Sequence, residues 1–195
     1  MESSGVNKTD LRRHYRSARR AHVASLSKAA REAEERALAS HMAPLLPGIT
    51  MAGSYAAVGD EIDPMWIERL LGPHAFPRVI GPDISFHIAA WADMKPGFQG
   101  IPEPAATAPR VDPDLVLVPL VAVTLAGVRL GQGRGYYDRA LSLLRTNAAR
   151  AGKPLLAIGL AWECQIAPAL PADAWDMPLD MVATPARLVD CRKGR

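Results

Sequence analysis

The segment Arg129-Leu130-Gly131-Gln132-Gly133-Arg134-Gly135-Tyr136-Tyr137-Asp138-Arg139 has the residue types that handle an anion. Three alternating glycines let backbone amides approach a ligand closely. A helix is expected directly after them, so its free N–H groups would face that ligand. Arg129 and Arg134 add planar cations that match phosphate oxygens. The Gly-Lys-Ser/Thr ending of a Walker loop is absent, and the glycine spacing does not fit the dinucleotide fingerprint. On these residues alone the loop is either a phosphate cradle or a tight strand-to-helix turn. No convincing Ser-His-Asp or Cys-His set accompanies it.

The charge distribution points the same way. The chain of 195 residues carries a net charge of +3, yet residues 1–36 hold nine Lys/Arg against five acids. The basic opening therefore sits on a nearly neutral body, which suits either an anionic ligand or a solvated basic helix face. Nucleic acid is a rival partner, but no helix-turn-helix, zinc spacing or aromatic RNA-binding motif is present, and aromatics make up only 6%. A sugar-phosphate or CoA-handling α/β enzyme would also explain the loop. Cys164 and Cys191 form no metal or redox spacing and read as reduced thiols of a cytoplasmic protein. The opening MESSGVNKTD lacks the order of a secretory signal, and no apolar run suits a membrane span.

The elements that must position these residues follow from periodicity. Leu11, Tyr15 and Ala18 give an amphipathic helix from Lys8 to about Val23, with basic residues on its other faces. Ser27 is placed to cap a second helix, Lys28 to about Met42. Thr50–Ala56 reads as a strand, and Asp63-Pro64 as the cap and first turn of a short helix reaching Gly72. Residues 73–113 are rich in proline and glycine and read mainly as loops, with short strands near Pro77–Ile80 and Phe86–Ala90. Leu115–Pro119 and Leu155–Leu160 are apolar runs of strand length flanking the glycine loop and a helix from Tyr136 to about Ala149. Met181–Thr184 is a final short strand. Strand, loop, helix, strand is a βαβ crossover. The expected architecture is therefore one α/β domain with an open, mostly parallel sheet, helices on both faces, and a ligand beyond the strands' carboxyl ends.

RLGQGRGYYDRAL resembles the signature of the 5-formyltetrahydrofolate cyclo-ligase family. Lys8-x-x-Leu11-Arg12 with Arg19, Asp60-Glu61-Ile62-Asp63, Gly100-Ile101-Pro102-Glu103-Pro104 and Asp114–Pro119 resemble further blocks of that family. So do Ile158–Ala161, Gln165, Leu170-Pro171, Asp176-x-Pro178-Leu179-Asp180 and Thr184, all in family order across about residues 8–184. The resemblance implies ATP- and Mg²⁺-dependent cyclisation of 5-formyltetrahydrofolate to 5,10-methenyltetrahydrofolate. It assigns Lys8, Arg12 and Arg129 through Tyr137 to ATP: Arg129, Leu130, Gly131, Gln132, Gly133, Arg134, Gly135, Tyr136 and Tyr137. Lys8 and Arg12 lie one helical turn apart, so both can reach one polyphosphate. Arg134 and Tyr137 are the implied catalytic groups, and Asp138 and Asp176 the Mg²⁺ positions. Ala56, Glu61 and Tyr137 would contact folate, with Glu61 accepting paired hydrogen bonds from the pterin. Phe86 and Trp91 are either pocket or core aromatics.

The sequence also departs from the family's pattern. Leu120–Thr124 replaces a stretch that usually holds a phenylalanine and an aspartate, Gln99 replaces an aromatic, and Trp175 replaces a histidine. These positions leave open a paralogue acting on another substrate. The basic first helix is further expected to attract a polyglutamate tail of folate.

Overall fold

The computed structural model describes residues 7–194; the first part of the opening segment lies outside them. Helix α1 (Lys8–Ser25) is capped by Asn7, whose side chain accepts the Thr9 N–H. Helix α2 (Lys28–Met42) starts as expected at Ser27, which accepts the Ala30 N–H at 3.1 Å.

Strand β1 (Ala52–Gly53) is shorter than the Thr50–Ala56 expectation. The Thr50 and Met51 amides bond to the Asp114 carboxylate instead of a neighbouring strand. Helix α3 (Met65–Glu68) also stops early. Asp63 does accept the Met65 N–H, at 3.0 Å, but Pro64 holds the cap position rather than the first turn. Leu70 and Leu71 then bond only three residues back, so the chain tightens into turns before Gly72.

The proline-rich middle is more ordered than its composition suggests. Strands β2 (His74–Ile80) and β3 (Asp83–Ile88) form an antiparallel hairpin around Gly81, whose φ is 59°. Short strands β4 (Lys95–Pro96), β5 (Pro102–Glu103) and β6 (Arg110–Val111) follow. Next come β7 (Leu115–Val118), the ribbon β8 (Ala122–Val123) with β9 (Arg129–Leu130), α4 (Tyr136–Arg150), β10 (Leu156–Leu160), β11 (Met181–Ala183) and β12 (Leu188–Asp190).

The main sheet has the order β12-β11-β10-β7-β1-β2-β3-β6. Its five central strands are parallel, and antiparallel strands close both margins. Both faces are covered. Leu115 and Leu117 of β7 join Leu38 and Met42 of α2, while Val116 and Val118 join Leu141 and Leu144 of α4. This alternation makes β7 apolar at every position. Leu11 and Tyr15 of α1 pack on Val121, Ala122 and Leu130, which lays α1 across the β8–β9 ribbon. No helix among the described residues is long and apolar enough to cross a membrane.

Candidate active site

A cavity of about 1500 Å³ opens beyond the carboxyl ends of β1 and β7, where the parallel strands were expected to present a ligand. Helix α1 forms one wall. Lys8, Arg12, Arg16 and Arg19 recur at spacings of four, four and three, so they share one face, and each meets a different part of the site. Lys8 Nζ lies 2.7 Å from both Asp173 and Asp176 carboxylates. Arg12 Nε donates to Gly131 O at 2.9 Å. Arg16 donates to Gln132 Oε1 through Nε and Nη2, at 3.1 and 2.5 Å. Arg19, buried, lies 3.8 Å from Glu61 Oε1 and donates to Leu120 O at 3.3 Å. Arg13 and Arg20 point elsewhere and pair with Asp10 and Asp60.

The glycine loop faces this wall. Gly133 has φ 100° and Gly135 φ 68°, conformations that side-chain-bearing residues rarely adopt. A Cβ at Gly133 would also come within 3.3 Å of the Arg12 guanidinium, so the helix and loop approach as closely as glycine permits. Gly135 leads directly into α4 without a side-chain cap, which leaves its first amides available. Leu130 is buried beneath the loop against Tyr15, so only its backbone can serve a ligand. Arg134 is exposed at the rim, its guanidinium 4.9 Å above the Phe98 ring, and Tyr136 meets the same ring edge-on. Phe98 was missed in the sequence. Of the two aromatics considered there, Phe86 is buried in the core, and Trp91 donates to Glu68 Oε2 at 2.7 Å; neither borders the cavity.

Glu61 lines the cavity where the Arg19 end of that α1 face meets the glycine loop, with Tyr55 and Ala56 beside it. Its Oε2 accepts the Val58 N–H at 3.1 Å and its Oε1 accepts Gln132 Nε2 at 3.3 Å. Burial pushes the carboxyl above the ordinary range, although the Val58 amide, Arg19 and Gln132 oppose the shift. Burial, with the Glu61 carboxylate adding to it and Arg129 opposing, pushes the Tyr137 phenol up, so it remains a neutral donor.

Asp138 pairs with the buried Arg129 and accepts the Met177 N–H at 3.1 Å. Asp176 sits next along the chain from Met177. Burial disfavours its carboxylate, but the Asp173 amide and Lys8 outweigh that and hold its pKa below the ordinary value. No cluster of three or more potential metal-binding side chains occurs among the described residues. Two carboxylates on adjoining segments still fit Mg²⁺, which usually takes one or two such ligands and completes its shell with phosphate oxygens and water. Asp173 and Arg16 carried no signal beyond being acidic and being one turn past Arg12.

Of the departures, Val123 and Thr124 are buried in the β8–β9 turn, away from the cavity. Gln99 and Trp175 border it.

A family model described as the 5-formyltetrahydrofolate cyclo-ligase family matches residues 4–185. The 5,10-methenyltetrahydrofolate synthetase of Aquifex aeolicus superposes with a TM-score of 0.77 at 29% identity, over 96% of this chain and 94% of that one. The synthetase of Mycoplasma pneumoniae shares the fold, with a TM-score of 0.69 at 22% identity. The 5-formyltetrahydrofolate cyclo-ligase of Mycolicibacterium smegmatis is 28% identical over 181 residues, covering 84% of this chain and 88% of the relative. The match to the Escherichia coli K12 cyclo-ligase, 37% identical, spans only 38% of that relative's length. From the full-length family match, the ordered motifs and the superposition, the chain belongs to the 5-formyltetrahydrofolate cyclo-ligase family.

Proposed function

We propose that the protein is an enzyme that couples ATP cleavage to closure of 5-formyltetrahydrofolate into 5,10-methenyltetrahydrofolate, releasing ADP and phosphate. The observation that carries this reading is the placement of a buried carboxylate, Glu61, next to a cation-lined glycine loop in one cavity. A folate and a triphosphate need those two environments side by side.

The formyl oxygen is a poor leaving group while it is part of an amide-like carbonyl. Its attack on the γ-phosphorus, with ADP leaving, makes it a phosphate ester. N10 of the same folate then attacks the formyl carbon, loses its proton, and inorganic phosphate departs. The nucleophiles belong to the substrates, so the protein's task is alignment and charge neutralisation.

Glu61 would take paired hydrogen bonds from the 2-amino-4-oxo ring, displacing Gln132 from Oε1. Arg12 and the amides of Gly131–Gly135 would hold the triphosphate. Arg134, at the rim, would swing from Phe98 onto the transferred phosphoryl group, and Tyr137 would donate to the formyl side. Asp138 and Asp176 would hold Mg²⁺, which neutralises phosphate charge. The basic stripe of α1 turns into the cavity, which favours a small polyanion over nucleic acid. A cytoplasmic setting agrees with Cys164 and Cys191 being reduced thiols, and a polyglutamate tail on the folate is part of the proposal.

The test is absorbance near the methenyl-folate band on mixing the protein with 5-formyltetrahydrofolate, Mg²⁺ and ATP. Growth that requires ATP and disappears in Arg134→Ala is the expected result. A flat trace from protein that binds ATP would point to a paralogue acting on another carbonyl compound.

A further inference from the structure

The turn Asp173–Asp176 is closed on itself. The Asp176 N–H bonds to Asp173 O at 3.0 Å, and the Asp173 N–H bonds to Asp176 Oδ2 at 2.8 Å. Lys8 grips both carboxylates and so pins the turn to the first turn of α1. Between those anchors stands Trp175, 71% exposed, the most exposed large apolar side chain among the described residues. A fixed turn that holds an indole in water forgoes the burial a large aromatic ordinarily gains.

Trp175 borders the same cavity as Lys8, Arg12 and the glycine loop. Helix α1 gives the scale. From Lys8 to Arg19 is about 16 Å at about 1.5 Å per residue. Arg19 is the residue that meets Glu61. A pterin held by Glu61 is therefore far from Trp175, with Arg12 and Gly131 in between. Phosphates lying along Lys8, Arg12 and the loop would place the nucleotide's base beyond Lys8, at the Trp175 turn.

We propose that Trp175 is the stacking platform for the purine base of the nucleotide. This rests on the ATP reading above and adds the residue that receives the base. Stacking on an aromatic face tolerates any base, so Trp175 serves ATP and GTP alike. When a phosphate draws Lys8 away from Asp173 and Asp176, the turn is freed to bring the indole onto the base.

The experiment is calorimetric titration of ATP, GTP and inorganic tripolyphosphate, each with Mg²⁺, into wild-type protein, Trp175→Ala and Trp175→Phe. Trp175→Ala should weaken ATP and GTP about tenfold, the effect of losing one stacked base, and leave tripolyphosphate unchanged. Trp175→Phe should recover most of the loss. ATP, but not tripolyphosphate, should quench wild-type tryptophan fluorescence, and the quench should vanish in Trp175→Phe. Equal weakening of tripolyphosphate would make Trp175 part of the phosphate cradle and overturn the proposal, as would unchanged ATP affinity. Wild-type protein that binds neither ATP nor tripolyphosphate would instead refute the ATP reading itself.

Discussion

At the Glu61 end of the pocket, side chains do the work: a buried carboxylate, a buried arginine and the half-buried Tyr137, with Tyr55 bonding to Ile62 O at 2.7 Å beneath them. At the glycine-loop end the material is backbone, held open by positive-φ glycines and rimmed by exposed arginines. The titration behaviour differs in the same sense. Burial raises the Glu61 carboxyl, whereas Lys8 and the Asp173 amide, working against burial, lower Asp176. One end keeps a charge at a cost to the fold until a ligand arrives. At the other, Lys8 and Arg129 are already paired with carboxylates, and those pairs must exchange partners to bind.

Glu61→Gln should separate the two most sharply. It removes the paired acceptor, so kcat/KM should fall about 10²–10³-fold, the usual cost of losing one well-placed partner in a water-poor site. Stability should not fall at neutral pH. With the folded pKa above the ordinary 4.5, the ionised carboxylate destabilises the fold. That cost grows as pH rises from 4.5 through the raised value and persists above it, and a glutamine does not incur it. A lower melting temperature for Glu61→Gln at pH 7 would show that the carboxylate holds the acidic turn together, ending the contrast.

Gly133→Ala addresses the other end. A φ of 100° strains an alanine, and its methyl would press on Arg12. ATP affinity should drop roughly tenfold, the equivalent of about 1–2 kcal/mol of backbone strain, with folate affinity little changed. Unaltered ATP binding would mean that the loop amides are not the cradle.

Gln132→Ala cuts the contact through which Arg16 and the loop reach Glu61. In wild-type protein, folate should change ATP affinity by about threefold, a modest coupling. The ratio should approach one in the variant. The smallest effect belongs to Asp176→Asn, which should lose about 0.2–1 kcal/mol of stability at neutral pH. Its depressed pKa means that the contribution is present above 3.8 and disappears as pH falls through the folded value. A pH-independent loss would assign it to turn geometry.

The sequence carried the parts of this site that depend on local pattern. The α1 periodicity, the Ser27 cap and the glycine loop opening α4 were all readable, because each rests on residues within a few positions of one another. The resemblance supplied Glu61, Asp138 and Asp176. What stayed hidden was partnership over distance: Lys8 with Asp173, or Arg16 with Gln132, has no local signature. The β2–β3 hairpin was obscured by Pro77, which suggests a loop. Pro77 is tolerated because β1 ends opposite Ala75, so nothing on that side asks for its missing N–H. The ribbon β8–β9 and strand β12 escaped notice because two or three residues are too few to show alternation.

The Lys8–Asp173 contact joins residues 165 positions apart. On a ribosome adding about 5–20 residues per second, α1 emerges with its arginine stripe and waits roughly ten to thirty seconds for the turn that will neutralise Lys8. Through that interval the nascent chain presents an uncompensated cationic helix, and the pocket lacks one of its walls. The pocket is therefore completed only once the Asp173 turn has been made, after the sheet that supports it has had time to form.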